Sequence, residues 1–361
     1  MSSLLIKRLT QLQAHLKPDQ AFLLTDPADI TYFSAFSFLV PEEREGFLLV
    51  TRTQAFLLHS SFSPVPANTE LVLLKGTSPR HLHNHLKQIK SDHHLTELLI
   101  DKTKLYADEY EAILKLESIS FLDLDRDNVW EIRCLKDETE IAAIRQAGQI
   151  AKAAFAALQP NIKPGMSEKE ISHALELEMY ALGSERPAFP TIVAFNDHAA
   201  LPHHQPTETV LTPETGILID FGATYQGYRS DMTRSFWFGT QPNPVFEKIK
   251  TITHQAFEAV MLVLATPPQT QHPPLTAADL DATARTLITE AGFGPQFIHT
   301  TGHGVGLDIH EQPSLNWSNH VLIQPGMVIT IEPGIYLPQQ YGYRHEDTVV
   351  ITQTGYQSLI R

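Results

Sequence analysis

The sequence predicts an α+β protein in two parts, a small α/β domain over residues 1–127 and a larger α+β domain over residues 128–361, and three observations carry this reading. First, 361 residues exceed the usual size of one hydrophobic core, so two domains are the better expectation. Second, the front third alternates short apolar runs with polar helical stretches. Third, the remainder places helices in pairs and strands in runs, which indicates segregated layers rather than a doubly wound sheet.

In chain order, Ala21–Leu24, Gly46–Val50, Ala55–Leu58 and Leu71–Leu74 read as strands, and Arg80–Ser91 and Ala107–Glu117 as helices. Leu122–Asn128, a run rich in Asp and Arg between apolar segments, reads as the linker. Asp137 opens a helix with apolar residues at Ile141, Ile144 and Ala147, expected to reach Leu158 before Pro160 and the Lys163-Pro164-Gly165 turn. Ser167 caps a second helix through Ala181, with Glu170 as its capping-box partner. Strands follow at Gly216–Phe221 and Tyr228–Phe238, then helices at Val245–Leu264 and Ala277–Ala291, the second after the surface connection Pro267–Pro274. The chain returns to strands at Met327–Ile331 and Thr348–Thr352.

A formal net charge of -14 argues against a nucleic-acid surface, which needs clustered Lys and Arg to release counterions. The acidic excess is either a solvated surface or carboxylates committed to cations. Cys134 is the only cysteine, so no intramolecular disulfide can form, which fits a cytoplasmic location. Met1 to Thr10 carries Lys7 and Arg8 and does not read as a secretory signal, and no apolar run is long enough to span a membrane.

Four acids and one histidine stand out. Asp220 ends the apolar run Gly216–Ile219, where an isolated ionised carboxylate is costly unless paired or metal-bound. Asp231 lies on the next strand, joined to the first by the Gly222–Gly227 turn, so the two acids can face each other across an antiparallel ladder. Glu332 ends Met327–Ile331 before a Pro-Gly turn, Glu346 precedes Val349–Ile351, and His303 sits among Gly302, Gly304 and Gly306. Singly, each has an ordinary explanation: an Asp after a strand is usually a turn former, a glycine-flanked His a turn residue, and Glu332 a partner for a nearby Arg. Together they form a mainly oxygen-donor set in which two dications sharing a hydroxide would balance four carboxylates.

The motifs Asp220-Phe221-Gly222-Ala223 with Tyr228-Arg229-Ser230-Asp231-Met232-Thr233-Arg234, Gly302-His303-Gly304-Val305-Gly306-Leu307-Asp308-Ile309-His310-Glu311, and Ile331-Glu332-Pro333-Gly334-Ile335-Tyr336 resemble those of the M24 "pita-bread" metallopeptidases. That family includes Xaa-Pro dipeptidase (prolidase), aminopeptidase P and methionine aminopeptidase. The resemblance covers roughly Val129–Arg361, and more loosely the front domain, where Tyr32-Phe33-Ser34-Ala35-Phe36 and Glu43-Arg44 are similar to short bacterial Xaa-Pro peptidases.

The resemblance implies a pita-bread catalytic domain behind a smaller creatinase-type domain. It implies two divalent metals, with Asp220 on one, His303 and Glu332 on the other, and Asp231 and Glu346 bridging. Oxygen-rich ligation suits Mn²⁺ first, with Co²⁺, Fe²⁺ or Zn²⁺ open. His203 and His310 match histidines near the substrate, Arg344 an active-site arginine, and Glu332 doubles as a proton relay. The implied activity is hydrolysis of the bond before proline in di- or oligopeptides, by a homodimer. Methionine aminopeptidase-like activity and a non-catalytic binding protein on the same fold are the rivals. The second is disfavoured because all five metal ligands are present.

Three departures from the family pattern stand in the sequence. Ala194-Phe195-Asn196-Asp197-His198 replaces the usual Ser-Gly-x-Asn, His345 takes an ordinarily apolar position, and Glu311–Thr330 lacks the arginine with which some prolidases grip a free carboxylate. Trp317 and Tyr336 could line a pocket but read better as core packing, and His81, His83, His85, His93 and His94 read as a solvated helix face and loop.

Overall fold

The computed structural model describes residues 2–40, 43–67 and 70–360; Met1, Pro41, Glu42, Asn68, Thr69 and Arg361 lie outside that description. Its contacts divide the chain into two units, Met1–Arg133 and Cys134–Arg361.

The first unit is built on a six-stranded mixed sheet. Strands Val72–Lys75, Ala55–His59, Gly46–Thr51, Gln20–Leu24, Glu97–Ile100 and Ser120–Asp123 lie side by side in that order. Gly46–Thr51 pairs antiparallel with both neighbours, and the outer pairings are parallel. Ala55–His59, Gly46–Thr51 and Gln20–Leu24 are buried at every residue, which is why they read as continuous apolar runs. Helices Ser2–Ala14, Pro27–Ser34 and Asp127–Arg133 and the four-residue strands Glu97–Ile100 and Ser120–Asp123 add to the sequence reading. The stretch read as a linker, Leu122–Asn128, holds a strand end and a helix start. Arg133, buried at the end of that helix, pairs with buried Asp29 at 2.6 Å.

The second unit repeats one theme. Helices Glu138–Leu158 and Glu168–Ala181 have 21 and 14 residues, and so do Pro244–Leu264 and Ala277–Glu290. Asp137 and Ser167 cap the first pair as capping boxes, each cap worth about 1 kcal/mol. Ile150, Phe155, Ile171 and Leu175 of that pair pack on Ile217, Ile219, Phe221 and Met232. These belong to a three-stranded antiparallel sheet ordered Met232–Phe238, Thr215–Phe221, Ile192–Phe195. The second pair packs Phe246, Phe257 and Leu280 on Ile329, Ile331, Val349 and Ile351. Those strands belong to a five-stranded sheet ordered Glu311–Leu315, Gly302–Gly304, Val328–Ile331, Asp347–Thr352, Gly355–Ser358. A ribbon of Gly334–Leu337 and Tyr341–Arg344 completes the unit.

Strand periodicity then decides which residues meet. Because successive side chains alternate faces, burying Ile217, Ile219, Phe221 and Met232 against the helices turns Asp220, Asp231 and Thr233 to the opposite face. Ile329 and Ile331 do the same for Thr330. The expected strand Tyr228–Phe238 is broken at Ser230 and Asp231, where Ser230 Oγ takes the Ala223 N–H at 3.0 Å. Trp317 departs from its reading: it is 77% exposed in the turn after Glu311–Leu315. Among the described residues no helix is long and apolar enough to cross a membrane.

Candidate metal centre

The two sheets bring their acids to one place. Asp220, in Thr215–Phe221, stands opposite Thr233 in the antiparallel register, and Asp231 precedes the partner strand by one residue. His303 is the middle residue of Gly302–Gly304, Glu332 follows Val328–Ile331, and Glu346 lies between Tyr341–Arg344 and Asp347–Thr352. The glycines beside His303 are steric necessities. A Cβ on Gly302 would lie 2.0 Å from Thr330 O, and one on Gly304 2.2 Å from Gln312 O.

One donor atom each from Asp231, His303 and Glu346 lie within 4.8 Å of one another, and all three residues are buried. His303 Nε2 is 3.2 Å from Glu332 Oε1 and 3.6 Å from Asp231 Oδ2. Its Nδ1 donates to Gly304 O at 3.0 Å, which aims Nε2 at the two carboxylates. Asp220 is tied into the group through Arg344, whose guanidinium contacts Asp220 Oδ2 and donates Nε to Thr233 Oγ1 at 2.8 Å. Thr233 Oγ1 donates onward to Glu346 Oε2 at 2.7 Å. Arg234 secures the last motif from the other side, bonding Glu346 O at 2.6 Å and Asp347 Oδ1 at 2.8 Å.

The charges do not balance within the protein. Four carboxylates here face one arginine and two histidines, His303 and, 4.0 Å from Glu332, a His299 that burial disfavours from charging. Burial pushes Asp231 well above the usual carboxylate range, and Glu346, Asp220 and Glu332 add to it. Burial and then the Glu332 and Asp220 charges push Glu346 the same way. Asp220 is raised by burial against the pull of Arg344. Burial opposes ionisation of Glu332 and His303 alike, but their mutual hydrogen bond and attraction outweigh it, lowering Glu332 and raising His303. Asp220 Oδ1 is buried with no hydrogen-bond partner. A buried carboxylate oxygen without a donor is expensive, and an acid set that cannot all ionise calls for added positive charge. Divalent cations fit this donor set on both counts.

The other candidate residues stand around this cluster. His310 is exposed, its ring centroid 4.4 Å from that of His303 in a T-shaped contact. Its pKa is lowered by burial first, then by the charge of His303, with exposed His203 within electrostatic reach. Tyr336, read as core packing, is buried, but its hydroxyl accepts from Arg344 at 2.9 Å and meets His299 Nε2 at 2.8 Å. His345, in the link between Tyr341–Arg344 and Asp347–Thr352, lies against His254 and Phe257 of helix Pro244–Leu264, with ring centroids at 4.4 and 4.7 Å. Asn196, within the departure from the usual pattern, takes φ 45° and accepts the Gly216 N–H at 2.9 Å.

Sequence reasoning missed Thr233, Thr330 and His299. Thr233 was findable, since it lies two residues from Asp231 and so on the same strand face. Thr330 Oγ1 is 3.4 Å from Glu332 Oε1, two residues on, and takes the His303 N–H at 3.1 Å, a contact that only strand pairing creates. His299 had no signal distinguishing it from the other histidines.

Comparison with known proteins places this geometry. The model of metallopeptidase family M24 matches residues 142–353. The Xaa-Pro dipeptidase of Pyrococcus furiosus is 33% identical over 99% of this chain and 97% of its own. Among solved structures, an Xaa-Pro dipeptidase from Bacillus anthracis superposes with a TM-score of 0.88 at 29% identity, covering 99% of this chain and 98% of that one. The X-Pro aminopeptidase from Thermotoga maritima does so with a TM-score of 0.81 at 30% identity, covering 97% of each chain. The fold class read from the sequence is the one these structures share.

Proposed function

The chain belongs to metallopeptidase family M24, of the prolidase and aminopeptidase P type, and from that premise we propose that it is an exopeptidase hydrolysing the peptide bond that precedes proline. The observation that carries the proposal is the convergence of Asp231, His303 and Glu346, with Asp220 and Glu332 beside them, into a buried set short of positive charge.

In this reading Asp220 would serve one divalent cation, His303 and Glu332 the other, and Asp231 and Glu346 both. The mainly oxygen donor set favours Mn²⁺ over Co²⁺, Fe²⁺ or Zn²⁺. Bound there, the cations supply Lewis acidity, making water a nucleophile at neutral pH and polarising the scissile carbonyl. The protein's own groups do the rest. Glu332 presents one oxygen to His303 and has the other to carry the proton leaving water. His203 and His310, both solvent-facing beside the cluster, donate hydrogen bonds to the scissile group as negative charge develops on its oxygen. Arg344 holds Asp220 and, through Thr233, Glu346 in place. Proline is selected because its tertiary amide has no N–H, so a site can enclose the ring without supplying an acceptor.

The relatives include both dipeptidases and an aminopeptidase, and the absence of an arginine in Glu311–Thr330 favours substrates longer than dipeptides. A homodimer and a cytoplasmic location belong to the same proposal, the first open to light scattering. The test is an assay of Mn²⁺-loaded protein against Xaa-Pro dipeptides, Xaa-Pro-Yaa peptides and non-prolyl controls. Cleavage confined to prolyl peptides is expected. Failure to cleave any of them with Mn²⁺, Co²⁺, Fe²⁺ or Zn²⁺ would overturn the proposal.

A further inference from the structure

Glu168, the first residue of helix Glu168–Ala181, has a fully buried side chain outside the acid cluster. Its two oxygens take five donors. Oε1 accepts the Phe195 N–H at 2.9 Å and His198 Nδ1 at 2.8 Å. Oε2 accepts His204 Nε2 at 2.9 Å, the Thr207 N–H at 2.9 Å and Thr207 Oγ1 at 2.7 Å. Hydrogen bonds from His204 and Thr207 outweigh the effect of burial and hold this carboxyl below its usual range. The His198 and His204 rings lie 4.5 Å apart.

The donors come from the end of strand Ile192–Phe195 and from both sides of the turn-rich stretch 196–207. That stretch presents His203, next to the anchored His204. It is secured elsewhere as well: Leu201 N–H bonds His198 O at 3.1 Å, His204 N–H bonds Leu201 O at 3.0 Å, and the Lys169 N–H bonds Thr207 O at 3.2 Å. Glu168 joins the segment before His203 to the segment after it through both oxygens of one rigid group.

Two histidines and a glutamate with close donor atoms also have the composition of a cation site. The hydrogen-bond inventory decides against that reading. Three of the contacts, the Phe195 and Thr207 N–H groups and Thr207 Oγ1, can only be hydrogen bonds to the carboxylate, and they engage both of its oxygens, which favours an anchor over a cation ligand.

We infer that Glu168 is a positioning residue, which fixes the 196–207 segment so that His203 meets the scissile peptide. The inference rests on the role proposed above for His203. A buried carboxylate taking charge-assisted hydrogen bonds on both oxygens is a stiff anchor, and misplacing a reacting group by about 1 Å can cost about 100-fold in rate.

The test is a double-mutant cycle on Mn²⁺-loaded enzyme with an Xaa-Pro-Yaa peptide. Glu168→Gln, which turns an N–H₂ toward the same donors, is expected to lower kcat/KM by about 100-fold with Mn²⁺ content unchanged. In a His203→Ala background the same substitution is expected to cost no more than about twofold. His204→Phe, which removes one donor and keeps a ring, covers the case in which Glu168→Gln fails to fold, and is expected to fall in the same direction. Undiminished kcat/KM in the folded variants, or a loss that persists fully without His203, overturns the inference. So does a third equivalent of Mn²⁺ or Zn²⁺ that Glu168→Gln abolishes. If the wild-type protein cleaves no prolyl peptide, the proposed activity fails by itself. The anchor is then judged by hydrogen exchange over 196–207: faster exchange in Glu168→Gln supports it, and unchanged exchange overturns it.

Discussion

Thr233 Oγ1 donates to Glu346 Oε2 at 2.7 Å while accepting Arg344 Nε at 2.8 Å, so a single hydroxyl links a candidate bridging acid to the arginine that holds Asp220. Thr233→Val keeps the shape of the side chain and removes both bonds. Outer partners of this kind typically contribute 10–100-fold to metal affinity or activity. We expect Thr233→Val to weaken Mn²⁺ binding by about tenfold and Thr233→Ser to restore most of it. Calorimetric titration would show this, and equal affinity in the valine variant would remove Thr233 from the site.

Asp231→Asn is expected to abolish turnover while leaving the circular dichroism spectrum unchanged. In metal-free protein it is also expected to hold or raise the melting temperature. Asp231 is a buried acid raised by desolvation and by three neighbouring carboxylates, and the amide removes that repulsion at no cost in volume. Loss of folding would point to a structural role, and retained turnover would count heavily against a bridging one.

The pH dependence of metal binding follows from the same groups. Asp231 and Glu346 have folded-state values well above the unfolded carboxylate value, through burial and then neighbouring acids. Their contribution to stability is complete below the unfolded value of about 4 and is lost as pH rises through the folded values. Glu332, held low by His303 against burial, runs the other way, and its contribution is lost only as pH falls below the unfolded range. Metal-free protein is therefore expected to lose stability as pH rises above the unfolded carboxylate value of about 4. Cations must displace those protons, so the Mn²⁺-induced rise in melting temperature should grow over the same window. Thermal scans with and without Mn²⁺ decide this; an increment that is flat or shrinks with pH contradicts it.

The helix pairs were legible because caps and periodicity agree. Asp137 and Ser167 announce their helices, and Ile141, Ile144 and Ala147 show which face is buried. Glu97–Ile100 and Ser120–Asp123 were not, since each breaks its apolar run with an acid at one end and their sheet partners lie far away in sequence. At the site the acids were visible as candidates, since a carboxylate ending an apolar run is anomalous in the residue order alone. Thr330, His299 and Glu168 were invisible for the opposite reason. Each looks ordinary locally and acquires meaning only through a backbone or ring brought from elsewhere.

Gly304 offers the most direct test of how backbone packing aims His303. Its absent Cβ would sit 2.2 Å from Gln312 O and 3.0 Å from Glu311 O, both backbone atoms of the adjoining strand, so no side chain can move aside. Gly304→Ala must push apart the pairing of Gly302–Gly304 with Glu311–Leu315, and overpacking of this kind costs about 1–3 kcal/mol. For a unit of this size that corresponds to a fall in melting temperature of roughly 2–12 °C. His303 bonds its ring Nδ1 to Gly304 O at 3.0 Å, so the displacement also turns Nε2 away from Glu332. We therefore expect Gly304→Ala to remain folded at about 25 °C yet bind less Mn²⁺ than wild type, as measured by metal analysis after dialysis. A variant with lowered melting temperature but full metal content would separate strand packing from the aim of His303 and refute the link drawn here.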